Sequence, residues 1–253
     1  MCFDAGARPP IEPIRGAAID HRTFELASAD GTHLRAFEAL AGEAPSEAAM
    51  LILPDARGLH RYYEELALRC AEIGVDALAI DYFARTAGGG ERPDEFAYLE
   101  HLEATRWEHL AADIGAGAEH LDRARPGRRL YAIGFCYGGR LAFLCATWAE
   151  PRFAGVAGFY GLPTGQHRFG DTPAPADLVG EMHGRVLGLF GAADAGIPPE
   201  SIEAFDAALT HASIPHELHS YPGAPHSFFD RRSDEFAAES ADAWRRVQDL
   251  VAS

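Results

Sequence analysis

Apolar positions recur along this chain in two rhythms. Thr23–Ser28 and Thr32–Ala39 alternate in polarity around Ala29-Asp30-Gly31, which predicts a β-hairpin. Beyond it come short, almost uninterrupted apolar runs: Ala48–Pro54, Asp76–Tyr82, Leu130–Phe135, Phe153–Tyr160 and Arg185–Gly191. Such runs predict strands buried on both faces. His216–Tyr221 predicts a further strand. Between these runs the period lengthens to that of a helix. Tyr62–Ile73 closes at Gly74, Pro93 or Asp94 opens a long amphipathic helix to about Arg123 with a possible break near Thr105–Trp107, and Arg140–Ala149 is apolar throughout. Pro199–His211 and Asp234–Ala252 complete the helices. Residues 1–20 are proline-rich and irregular, Gly42–Glu47 is a loop, Ala87–Gly90 a flexible glycine run, and Gly161–Pro175 a long loop of the kind that carries function or moves. Strand and helix alternate after the hairpin, so the expected fold is α/β: a mostly parallel central sheet with helices on both faces. No repeat or linker divides residues 1–253, which predicts a single domain.

One junction stands out. Arg129–Gly139 reads RLYAIGFCYGG, a strand entering a tight turn that opens a helix. This is the setting of a nucleophile elbow, where a strained residue stands clear of the backbone and small neighbours two positions to either side, here Gly134 and Gly138, let strand and helix approach. The exposed atom is the sulfur of Cys136, at a helix N-terminus that favours a thiolate and an oxyanion. Taken alone, a cysteine in a glycine-rich strand-to-helix turn is equally a small core residue.

In open α/β sheets, ligands bind beyond the carboxyl ends of the strands. Asp55, Cys136, Asp194 and His226 all fall there. Singly, Asp194 reads as a turn or cap residue, and His226 is one of 12 histidines. Their chain order of nucleophile, acid and histidine is that of an α/β-hydrolase triad. Cys136 would attack a carbonyl, His226 would move the protons, and Asp194 would hold the imidazole. The N–H of Tyr137 and a second donor at Ala56 would form the oxyanion hole.

Composition narrows the partners. With 38 acidic against 22 basic residues the net charge is −16, which argues against nucleic acid or an anionic membrane surface. No apolar run approaches a membrane span, and MCFDAGARPPIEPIRG has no apolar signal region, so the cytoplasm is expected. Cys2, Cys70, Cys136 and Cys145 lack disulfide or zinc spacing, and Cys70 and Cys145 fall in apolar helical patterns as core residues. His216, Glu217 and His219, and likewise His101 and His109, lack ligand spacing, so no metal is expected. A monomer or small homo-oligomer is expected.

The sequence resembles the dienelactone hydrolase family of α/β-hydrolases through nearly its whole length. GFCYGG is similar to that family's cysteine elbow, GAADAGIP to its acid loop, YPGAPHSFFD to its histidine loop, and LPDARGLHRYYEELALRCAEIGVDALAIDYFART to its oxyanion-loop block. The resemblance implies cleavage of small esters or enol lactones through an acyl-thioester, without metal or organic cofactor. Two positions depart from the pattern. Asp55 stands where well-known members carry a glutamate near the resting cysteine, a possible auxiliary acid; alternatively it caps the next helix or pairs with Arg57. Asp230 stands four residues past the histidine, where such members hold a substrate carboxylate with arginine; Arg231 follows it, and Arg92 is a loose match for a second arginine. Arg85, Tyr98, Tyr160 and Arg231 are the candidate substrate-binding residues. Two alternatives stay open: a promiscuous carboxylesterase or thioesterase, and a non-catalytic binding or thiol redox-sensing protein on the same fold.

Overall fold

The computed structural model describes residues 6–42, 47–93 and 96–253. Cys2, Asp94 and most of the predicted Gly42–Glu47 loop lie outside the described residues. The hairpin forms as expected, with β1 (Ile19–Ala27) antiparallel to β2 (His33–Ala41) in the register Ile19 opposite Ala41. Its turn is set by Gly31 at a φ of 85° and by the Asp30 carboxylate, which accepts the Thr32 N–H at 3.0 Å. β2 then pairs antiparallel with β4 (Asp76–Ile80). From there β4, β3 (Ala48–Leu53), β5 (Arg129–Phe135), β6 (Phe153–Phe159), β7 (Arg185–Gly191) and β8 (His216–Tyr221) run parallel, giving one eight-stranded sheet in the order β1-β2-β4-β3-β5-β6-β7-β8. Helices cover both faces. β3 and β4 are buried at every residue, which is why their sequences run apolar without alternation.

The helices are α1 (Arg61–Glu72), α2 (Ala84–Ala87), α3 (Tyr98–Glu103), α4 (Trp107–Ala124), α5 (Tyr137–Cys145), α6 (Pro199–His211) and α7 (Ala237–Ala252), with a 3-10 helix over Pro175–Glu181. The long predicted helix is two helices, parted at Thr105, whose hydroxyl turns back to the Leu102 carbonyl at 2.7 Å. α4 then opens on the Trp107 N–H, which donates to Asp171 at 2.5 Å. β4 ends two residues early because Asp81 caps the Phe83 N–H at 3.0 Å and turns the chain. The expected flexible run Ala87–Gly90 is tethered: the side chain of Arg92 donates to the Ala87 and Gly88 carbonyls and pairs at 2.7 Å with fully buried Asp81. The 3-10 helix and α2 carry no sequence periodicity long enough to announce them.

Beneath the middle of the sheet's carboxyl edge lies an aromatic floor. Phe135 stacks on Phe159 at 4.7 Å between centroids and lies 6.0 Å from Phe229, with Tyr63 at 5.7 Å. These rings are fully or almost fully buried and fix the height at which β5 delivers the next residue.

Candidate active site

That next residue is Cys136, held at φ 55°, ψ −113°, a region that favours glycine. Two bonds hold it there. Its N–H donates to the Phe159 carbonyl at 3.0 Å, and its carbonyl accepts the Arg140 N–H at 3.3 Å as α5 begins. The surrounding glycines are sterically compelled. A Cβ on Gly134 would lie 1.9 Å from the Gly138 carbonyl oxygen, and one on Gly138 would lie 2.1 Å from that of Leu53. The elbow is therefore pressed against β3, and the half-buried cysteine faces a cavity of about 370 Å³.

His226, in the turn after β8, lines the same cavity. Its Nδ1 lies 2.6 Å from Asp194 Oδ2, and the other carboxylate oxygen accepts the Gly196 N–H at 2.8 Å. Asp194 is buried in the turn after β7, so both its oxygens are directed and the imidazole is held at one face. Tyr160, the residue after β6, has φ 39° and sets its ring 4.9 Å from that of His226. Ala56 and Tyr137 also border the cavity. The Tyr137 hydroxyl lies 3.0 Å from that of Thr105, and burial pushes it up to about 12.

Asp55 is fully buried and is not on the cavity wall. Its Oδ1 accepts the Arg57 N–H at 2.9 Å, its own N–H donates to the Tyr63 hydroxyl, and the Tyr82 hydroxyl donates to its carbonyl. The bond from Arg57 is a local turn bond that shapes the loop. Asp230 is likewise buried, accepting the Tyr160 hydroxyl at 2.7 Å and the Arg231 N–H. Burial first, then the nearby Asp55 carboxylate, pushes Asp230 up to about 8, so it carries a proton at neutral pH.

Of the four candidate substrate-binding residues, Tyr98 and Tyr160 line the cavity and two arginines do not. Arg85 is bound at 2.6 Å to buried Asp113, at 2.8 Å to Thr32, and to Asp30, an ion cluster that fastens α2 to the hairpin. Arg231 faces a different hollow, beside Arg8, Pro10 and Asp234, because its backbone is turned by Asp230. Sequence reasoning missed Leu162, His167, Arg168 and Phe169, all on the long loop, and Leu102 and Ile197. Loop length was the only signal for the first group. Cys70 and Cys145 are core residues, burial pushing the first thiol up to about 12 and the second also well up. His216 is taken up by Ile214 and Asp206, and Glu217 by Arg185 and Arg246. Among the described residues no three His, Cys, Asp or Glu side chains stand where they could hold a metal ion. No described helix is long and apolar enough to cross a membrane.

The fold and the elbow define a hydrolase of the α/β-hydrolase class. Residues 34–253 match the Dienelactone hydrolase family. The chain is 30% identical over 201 residues to a protein of Escherichia coli O157:H7 named "Putative carboxymethylenebutenolidase", the alignment covering 78% of this chain and 74% of that one. It is 28% identical to a Bradyrhizobium protein named "Probable 2-oxo-3-(5-oxofuran-2-ylidene)propanoate lactonase", covering 76% of this chain and 79% of the relative. The crystal structure titled "Putative Dienelactone Hydrolase" from Klebsiella pneumoniae subsp. pneumoniae MGH 78578 superposes with a TM-score of 0.76 at 26% identity, over 93% of this chain and 99% of that one. The chain belongs to the dienelactone hydrolase family, and it is a carboxylic ester hydrolase.

Proposed function

We propose that the chain hydrolyses a small ester or enol lactone through Cys136, His226 and Asp194. The observation that carries this reading is the 2.6 Å bond between His226 and Asp194, on the same cavity as a cysteine strained at the elbow. Two of the relatives are named for lactone chemistry, which supports the substrate class. His226 takes the thiol proton as sulfur bonds to the carbonyl carbon. The carbon's oxygen becomes an oxyanion facing the Tyr137 N–H and a donor at Ala56. As the C–O bond breaks, His226 gives its proton to the departing oxygen, leaving a thioester on Cys136. A water, deprotonated by His226, then attacks the thioester, and the thiol returns with its proton. Asp194 orients the imidazole and offsets its charge. A cavity of about 370 Å³ suits a single-ring acyl group. Arg168 on its wall supplies a cation for a substrate carboxylate. A working thiol belongs in a reducing compartment, so we place the protein in the cytoplasm.

The test is stopped-flow turnover of p-nitrophenyl acetate and a dienelactone by the wild type and Cys136→Ser. Steady turnover that the substitution removes supports the reading. A burst of one equivalent without turnover would overturn it in favour of a thiol that cannot deacylate, a binding or sensing protein.

A further inference from the structure

Among the described residues Arg140 is the largest fully buried side chain, and it has no part in the chemistry above. It follows the nucleophile by one helical turn, on α5. Among the described residues it forms no ion pair. Its guanidinium is spent on one segment: Nε donates to the Thr172 hydroxyl at 3.1 Å, Nη1 to the Leu162 carbonyl at 2.8 Å, and Nη2 to the carbonyls of Gly165 at 2.8 Å and Thr172 at 3.1 Å. Burial draws Arg140 down to about 10 against the weaker opposing influence of Tyr137 and Asp177, so it is still cationic at neutral pH. Burying a guanidinium is costly unless its donors are satisfied, so a position that keeps one has a use for its planar fork.

The segment it holds is the loop 161–175, which brings Leu162, His167, Arg168 and Phe169 to the cavity. Further ties close that loop. The Ala176 N–H donates to the Pro163 carbonyl at 2.9 Å, Thr164 reaches Ser201 on α6 at 2.8 Å, and Asp171 takes the Trp107 N–H. Gly170, at φ 65°, leaves no room for a side chain, since a Cβ would lie 2.4 Å from the Thr105 hydroxyl. The His167 ring lies 5.0 Å from that of Tyr137, the residue after the nucleophile.

We infer that Arg140 is a positioning residue that locks the loop 161–175 to the nucleophile helix as a fixed wall of the substrate cavity, so that the loop does not open as a lid during turnover. The part concerning substrate rests on the hydrolytic reading above; the part concerning the loop does not. Substrate selection then comes from a preformed cavity held in register with the thiol.

Exposed Arg168 makes this measurable, because trypsin cuts after it only if the loop leaves its seat. In the wild type, cleavage at Arg168–Phe169 is expected to be no faster than global unfolding allows. Rapid cleavage there in the native wild type would overturn the inference without need of any variant. In Arg140→Lys and Arg140→Met, cleavage at that bond should accelerate about tenfold or more, before other sites are cut. With p-nitrophenyl butyrate, KM should rise about tenfold while kcat falls only about threefold or less, the pattern of lost ground-state positioning. An unchanged KM together with unchanged cleavage would sink the proposal. A wild type without turnover would defeat the hydrolytic reading, and proteolysis would still judge the lock.

Discussion

Replacing Asp230 by asparagine should stabilise the protein, and increasingly so as pH rises. The carboxyl lies buried against the Tyr160 hydroxyl and is pushed from an ordinary 3.8 up to about 8. Between those values the unfolded chain is ionised at this position while the folded chain still binds the proton. Stability therefore falls with rising pH, by about 1.4 kcal/mol per unit, until the folded group also ionises near pH 8. From pH 5 to pH 8 that amounts to about 4 kcal/mol in the wild type. Asparagine keeps the shape of the neutral acid: its carbonyl accepts the Arg231 N–H, and its amide donates to the Tyr160 oxygen once that hydroxyl turns its own proton away. It does not titrate, so the loss disappears. The other ionisable groups are common to both proteins and largely cancel in the difference. Urea denaturation of wild type and Asp230→Asn at half-unit steps from pH 5 to pH 9 measures the gap directly. It should widen up to about pH 8 and then level off. A gap that stays constant across the range would refute a buried neutral carboxyl at this site.

Cys136→Ala should lower kcat for ester hydrolysis by about 10⁴-fold or more, with an unchanged circular dichroism spectrum, and Asp194→Asn by about 10³-fold or more through loss of the imidazole's orientation. Steady-state assays decide both. Arg168→Gln should cut kcat/KM for a carboxylate-bearing lactone about tenfold or more beyond its effect on p-nitrophenyl acetate, the cost of losing a charge-assisted pair. Gly138→Ala forces a Cβ to within 2.1 Å of the Leu53 carbonyl oxygen, so thermal unfolding should show a loss of about 3 kcal/mol or more, or no soluble protein. Arg85→Met should leave turnover near that of the wild type while lowering stability by about 2 kcal/mol or more, because it strands the buried Asp113 carboxylate; a large rise in KM would instead put Arg85 at the substrate.

Local pattern was enough for the hairpin, the buried strands and most of the helices, since each depends on the period of its own apolar residues and on glycine at its turns. The places of Cys136, Asp194 and His226 at strand ends were legible for a related reason. Each follows a strand, and a parallel sheet delivers all such positions to one edge whatever the intervening sequence. The glycine pair around Cys136 was legible too, because only the absence of a Cβ allows β3, β5 and α5 to meet so closely.

Charged side chains were not legible, because their roles depend on what long-range folding brings within a few ångströms. Arg85 and Arg231 looked available for substrate; one is consumed by Asp113 and Asp30, the other is turned aside by the buried Asp230. Arg140 opened an apolar run with nothing to mark it, and only packing against the loop 161–175 gave its donors their acceptors. Sequence by itself determined that Cys136, Asp194 and His226 each follow a strand, because that follows from local periodicity. Tertiary structure alone decided which polar groups face the cavity and which are buried against each other, because ion pairs and buried hydrogen bonds join residues that the chain keeps far apart.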